Sequence, residues 1–70
     1  MKYLLIMQVC SSIAQTCTKP VELYPMHNSY YDCATVGYIR GLNVVRELGE
    51  EEVNKQKIVI KFGCQSMASI

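Results

Sequence analysis

Four cysteines in a chain of 70 residues limit the possible folds more than any other feature. A domain of this length buries a small share of its surface, so it usually depends on a cross-link or a partner subunit for stability. An even number of cysteines is typical of a disulfide framework, whereas a reducing compartment would leave them as small buried side chains. We therefore predict a single small domain, residues 1–70, stabilised by disulfides.

The spacing of the cysteines favours one pairing over the others. The four residues are Cys10, Cys17, Cys33 and Cys64. We expect a Cys17–Cys33 disulfide, because it closes a loop of about 15 residues and contributes roughly 3 kcal/mol in the chain-entropy model. Cys10–Cys64 is the second choice, since these two side chains are predicted on opposite faces of a sheet. The alternative is that one or both of them stay free.

Composition and charge narrow the class of partner. Half of the residues are hydrophobic, only 19% are charged and the formal net charge is +1. Such a chain is expected to be ordered, and it lacks the strongly basic character of proteins that bind nucleic acids. The longest apolar run, residues 3–10, is interrupted by Gln8 and is too short to cross a bilayer. We expect a protein partner or a second copy of the chain and no nucleic acid, and we expect no membrane partner unless residues 1–14 act as a signal.

Residues 1–14 allow two interpretations. Apolar side chains alternate at positions 3, 5, 7 and 9, which is typical of a buried strand. The apolar run after Lys2, followed by small residues near Ala14, also resembles a short secretory signal. Cleavage after Ala14 would leave an odd number of cysteines, so we favour the strand. The alternative is an exported or periplasmic protein.

The remainder of the chain predicts a loop, a helix and a second strand. Pro20 and Pro25 indicate a long loop over residues 12–28. A helix over 29–48 follows, capped by Ser29 and ended by Gly49. Its expected core-facing stripe comprises Tyr31, Ala34, Tyr38, Gly41, Val45 and Leu48.

The acidic residues 50–52 and the basic residues Lys55, Lys57 and Lys61 are expected in a solvated turn and strand edge, and residues 57–65 in a strand. Residues 66–70 are expected to fray. The predicted fold class is α+β, with one long helix packed on a two-stranded sheet in the order β-loop-α-β. The relative direction of the strands is left open, and a sheet of two strands leaves edges at which two copies can pair.

Gly37 and Gly41 stand one turn apart inside the predicted helix, where glycine is unfavourable. This spacing predicts that another part of the protein approaches the helix backbone closely. We favour the chain's own strands, and the alternative is a helix–helix contact between two copies.

Catalytic and metal-binding patterns are weak. The four cysteines and His27 could bind zinc, but there is no Cys-x-x-Cys motif, so we expect no metal and no cofactor. Cys33 at a helix N-terminus with His27 nearby outlines a thiol nucleophile and its base. We favour a structural disulfide at Cys33 and predict that the protein is not an enzyme.

Tyrosines are concentrated between residues 24 and 38, and tyrosine favours interfaces because it combines apolar area with a polar tip. The predicted partner-binding patch consists of Tyr24, Met26, His27 and Tyr30.

Several segments of the chain resemble small cysteine-containing proteins of marine bacteria and their viruses. The resemblance is carried by residues 1–6, Cys17, 29–34, Gly37-Tyr38, Gly49, 52–54, 60–62 and Cys64. That group has no assigned function, so the resemblance implies a phage accessory or minor virion protein but no catalytic or binding residues.

Together these observations predict a non-enzymatic interaction module that acts through a tyrosine-rich segment or a strand edge. The alternatives are a small redox or metal-handling protein that uses its cysteines, and an exported envelope protein with a cleaved N-terminus.

Overall fold

The computed structural model describes residues 1–67 and confirms the α+β class. The elements are β1 (Lys2–Ser11), β2 (Thr16–Cys17), β3 (Val21–His27), α1 (Tyr30–Gln56) and β4 (Ile58–Met67). Of the tail predicted to fray, Ser66 and Met67 belong to β4, and residues 68–70 lie outside the described part.

Strand β1 is the centre of a four-stranded antiparallel sheet, where the sequence predicted two strands. It pairs with β4 along its whole length, from Lys2 opposite Met67 to Ser11 opposite Ile58. Because a strand has only two edges, β2 and β3 share the other edge of β1. Strands β3 and β4 therefore run in the same direction on either side of β1, and α1 connects them.

The segment predicted as a long loop, residues 12–28, instead contains β2 and β3. Thr18 extends the first pairing, because its N–H donates to the carbonyl of Val9 at 2.8 Å and its hydroxyl accepts from the Val9 N–H at 3.0 Å. Pro25 is compatible with β3 because this strand is at an edge and is bulged. Residues 24–26 there oppose the single residue Leu4.

Helix α1 begins as predicted and continues further. The hydroxyl of Ser29 accepts from the Asp32 N–H at 3.0 Å, which caps the first turn. Gly49, predicted as the end, interrupts the helix with φ 86° and ψ 160°. The acidic segment after it, predicted as a turn, forms a further helical segment that ends at Lys57 in the left-handed conformation.

The face of α1 that meets the sheet is made of small residues. Cys33, Gly37 and Gly41 are its buried residues, and a Cβ at Gly41 would lie 3.3 Å from a methyl group of Ile60. The close approach predicted from the two glycines is thus to the chain's own strand. Tyr31 and Tyr38, predicted in the core, are 78% and 73% exposed, because they lie on a different side of the helix from Cys33, Gly37 and Gly41.

All four cysteines are in disulfides, but the predicted Cys17–Cys33 bond is wrong. The bonds are Cys10–Cys17 and Cys33–Cys64. Strand β2 places Cys17 directly opposite Cys10, with the Cα atoms 4.0 Å apart, and the pairing was missed because β2 was predicted as loop. The expectation that Cys10 and Cys64 lie on opposite faces is correct, since Cys64 pairs with Leu5, five positions from Cys10.

Candidate partner-binding surface

The predicted patch is divided between the bulge of β3 and the start of α1. Tyr24 and Met26 lie in the bulge, and Tyr24 is exposed while Met26 is half-buried. His27 pairs across the sheet with Tyr3, and the exposed ring of Tyr30 contacts Tyr3 edge to face, with centroids 5.7 Å apart. The structure thus brings His27 and Tyr30 together around Tyr3. Tyr3 is not predictable as a member from the sequence, because alternation places it on the buried face of β1.

A larger apolar surface lies on the outer side of α1. Tyr31, Tyr38, Ile39 and Leu42 are each at least half exposed. The ring of Tyr38 also contacts Phe62 of β4 edge to face, with centroids 4.8 Å apart. Contiguous apolar area of this kind on a small protein marks an interaction site more often than a free surface.

An open groove of about 610 Å³ runs between α1 and β4. Its lining residues are Tyr30, Ala34, Tyr38, Ile60, Lys61 and Phe62. Tyr30 therefore belongs to this groove as well as to the predicted patch. We use the name β4 surface for this groove together with the outer edge of β4.

The two edges of the sheet differ. Strand β4 is ten residues long and pairs without a register shift with β1, and within residues 1–67 no strand pairs with its outer edge. Strand β3 is seven residues long and is interrupted by its bulge and by Pro25. Prolines and bulges protect sheet edges from pairing with other chains. The edge of β4 has no such protection apart from Lys61 and is the available one.

No cysteine of this protein has a free thiol with which to bind a metal or to act as a nucleophile. All four sulfur atoms are bonded, including that of Cys33, so the pair of Cys33 and His27 holds no nucleophile. Across residues 1–67, no group of three His, Cys, Asp or Glu side chains is placed to hold a metal ion. Within the same residues, α1 is not apolar enough to span a bilayer.

Comparison with protein-family models, with curated proteins and with solved structures found no match to this chain. The resemblance to proteins of marine bacteria and their viruses stays a prediction.

Proposed function

We propose that the protein is a non-enzymatic interaction module that binds an extended protein segment along the outer edge of β4. The observation that carries this proposal is the ten-residue, unbulged edge of β4, which within residues 1–67 lacks a partner strand. An edge of this kind presents a row of backbone donors and acceptors, and an added strand gains affinity from main-chain hydrogen bonds.

The groove beside β4 supplies selectivity for side chains. In an added strand, every second side chain would point to the helix side of the sheet. There it would enter the groove, whose lining includes Tyr30, Tyr38 and Phe62. We therefore expect partner segments with aromatic or β-branched residues at alternating positions.

The resemblance to proteins of marine bacteria and their viruses supports a role as a phage accessory or minor virion component, in which such a module would hold a protein partner. The near-neutral charge of the chain also favours a protein over a nucleic acid.

The proposal is tested with decapeptides selected from a random library for binding to the full chain. Hydrogen–deuterium exchange is then measured with and without a selected peptide. We expect protection at alternate amides of β4, because β1 already protects the others. Tyr38→Lys is expected to weaken peptide binding about ten-fold, since it places a charge in the wall of the groove.

Tyr24→Lys is the matched control, because Tyr24 is exposed in the bulge of β3 and lies outside the groove. Circular dichroism establishes that both variants keep the fold. Protection confined to β3, or binding lost in Tyr24→Lys and kept in Tyr38→Lys, would overturn the proposal and favour the patch predicted from the sequence.

A further inference from the structure

We infer that the partner at the β4 surface is a second copy of this chain, joined through β4 and α1 about a two-fold axis. This inference rests on the proposed function, because it names the occupant of the β4 edge. The first observation is a stripe on α1 whose members alternate in steps of four and three residues, the spacing of a coiled-coil seam. The stripe comprises Tyr31, Thr35, Tyr38, Leu42 and Val45.

The stripe is distinct from the face of α1 that packs on the sheet. The buried face is formed by Cys33, Gly37 and Gly41, whereas Tyr31 and Tyr38 are largely exposed and Leu42 is half exposed. An apolar seam on the outer side of a helix is unfavourable unless another helix covers it.

The charges beside the stripe specify an antiparallel neighbour. Asp32 follows Tyr31 and Arg46 follows Val45, so both charges flank the same side of the seam, two heptads apart. In an antiparallel pair centred on residue 40, Asp32 lies within two residues, about 3 Å along the helix axis, of Arg46 of the second copy, and the same pair repeats at the other end. A parallel pair would instead place Arg46 beside Gly41 of the second copy, at the facing g position, where no opposite charge would meet it. Opposite charges at such positions set the orientation of coiled-coil helices.

The sizes of the side chains fit the same register. Antiparallel pairing centred there places Tyr38 against Leu42 of the second copy. It also places Tyr31 against Gly49 of the second copy, where no side chain competes for space. A Cβ at Gly49 would have no neighbour within 4 Å in its own chain, so room for an incoming ring exists there.

The two-fold axis that relates the two helices also relates the two β4 strands. Cys33 is bonded to Cys64, Gly37 contacts Phe62 and Gly41 contacts Ile60. Four residues of the helix therefore cover the same distance as two residues of the strand. The middle of the stripe, near residue 40, therefore lies level with Ile60 and Lys61. We pair the two β4 strands antiparallel, with Ile60 opposite Ile60 of the second copy. Each Lys61 then lies opposite Val59 of the other copy, which keeps the two ammonium groups apart. Both helices then lie on the same face of one continuous sheet.

The spacing of the strands and of the helices is also compatible with this dimer. Helix α1 packs mainly on β4 and then on β1, so its axis runs above these two strands. Strands pair at about 4.8 Å, which would hold the two helix axes about 10 Å apart, within the usual helix packing range. The whole molecule extends 44 × 20 × 15 Å along its principal axes.

The test is the mass of the full chain in solution, measured by analytical ultracentrifugation over a range of concentrations. We expect a dimer. Arg46→Asp and Asp32→Arg should each weaken dimerisation at least ten-fold, because each places like charges opposite one another at both ends of the seam. The double variant Asp32→Arg with Arg46→Asp should recover dimerisation, because it restores opposite charges. Arg40→Asp is the matched control, since it changes charge equally on the side of α1 away from the stripe.

The outcomes separate this inference from the proposed function. A wild-type chain that stays monomeric yet binds selected decapeptides with alternate protection of β4 overturns the second copy and keeps the proposed function. A dimer that is insensitive to both charge reversals, or a double variant that fails to recover, also overturns the inference. Absence of both dimer and peptide binding overturns both proposals. Asp32→Arg alters the first turn of α1, so circular dichroism is recorded for it and Arg46→Asp gives the independent reading.

Discussion

The ring of Phe62 occupies the space in which a side chain at Gly37 would lie. A Cβ added at position 37 would come within 3.0 Å of three ring carbons of Phe62. The Cys33–Cys64 disulfide secures the same interface one helical turn earlier, and Gly41 against Ile60 continues it one turn later. These three contacts hold the first helical segment of α1 on β4.

Gly37→Ala should therefore destabilise the protein. Alanine favours a helix by about 1 kcal/mol over glycine, but overpacking against Phe62 typically costs about 1–3 kcal/mol. We expect a net loss in the free energy of unfolding, measured by urea denaturation. Gly41→Ala is the control and should lose less, because its Cβ meets one methyl group at 3.3 Å. Equal or higher stability of Gly37→Ala would contradict the packing described here, and Phe62→Leu in the same background should restore part of the loss.

The two disulfides should contribute unequally. Cys33 and Cys64 are 31 residues apart, whereas Cys10 and Cys17 are 7 apart. The chain-entropy relation gives about 4 kcal/mol for the longer loop and about 2 kcal/mol for the shorter. Replacing Cys33 and Cys64 together by alanine should therefore lower the urea midpoint more than replacing Cys10 and Cys17. The reverse order would show that the Cys10–Cys17 disulfide stabilises the protein through packing and not through loop closure.

Alkylation before and after reduction tests the redox state of the cysteines. Protein from its native source should carry no alkyl adducts before reduction and four afterwards, as read from intact mass, because all four sulfur atoms are bonded. Adducts at all four positions before reduction would contradict a disulfide-stabilised fold. That result would make redox and metal-binding assays the next measurements.

Gly49→Ala should also be unfavourable, for a reason that lies in the backbone. The φ of 86° and ψ of 160° at Gly49 belong to a region that is essentially confined to glycine. We expect a loss of about 1–3 kcal/mol in unfolding free energy, measured by urea denaturation. Glu51→Ala, at an exposed helical position two residues later, should stay within about 0.5 kcal/mol of the parent. An unchanged Gly49→Ala would mean that the helix passes through residue 49 without a break.

Much of the fold was predictable, because alternation and helix caps are local signals. The alternation in β1 and β4 identified both strands, and Ser29 identified the start of the helix. The close approach at Gly37 and Gly41 was also predictable, since glycine inside a helix needs a packing reason. By contrast, Pro20 and Pro25 are turn signals, one just before β3 and one within it. Strand pairing overrides these signals, and no local pattern in the sequence reports that pairing.

The failures at the site share one cause. Tyr31 and Tyr38 fit a helical stripe as well as Gly41 does, and periodicity alone does not tell which of two adjacent stripes meets the sheet. The small side chains at 33, 37 and 41 decide it, because only they allow the helix to approach β4. The same ambiguity explains the disulfides, since the correct partner of Cys17 depends on a two-residue strand. Tyr30 and a strand edge were both predicted as contact sites, and they adjoin in the β4 surface.

The central position of β1 has a consequence for the order of folding. The edge of β1 that faces β4 pairs with residues 58–67, so the most extensive pairing in the sheet joins residues 47 to 65 positions apart in the chain. Contacts between distant segments slow folding, because the chain must close a long loop before it gains their energy. In a nascent chain on the ribosome, β1 would be paired along one edge only until β4 had emerged. The apolar side chains of β1 would be exposed to other chains throughout that interval.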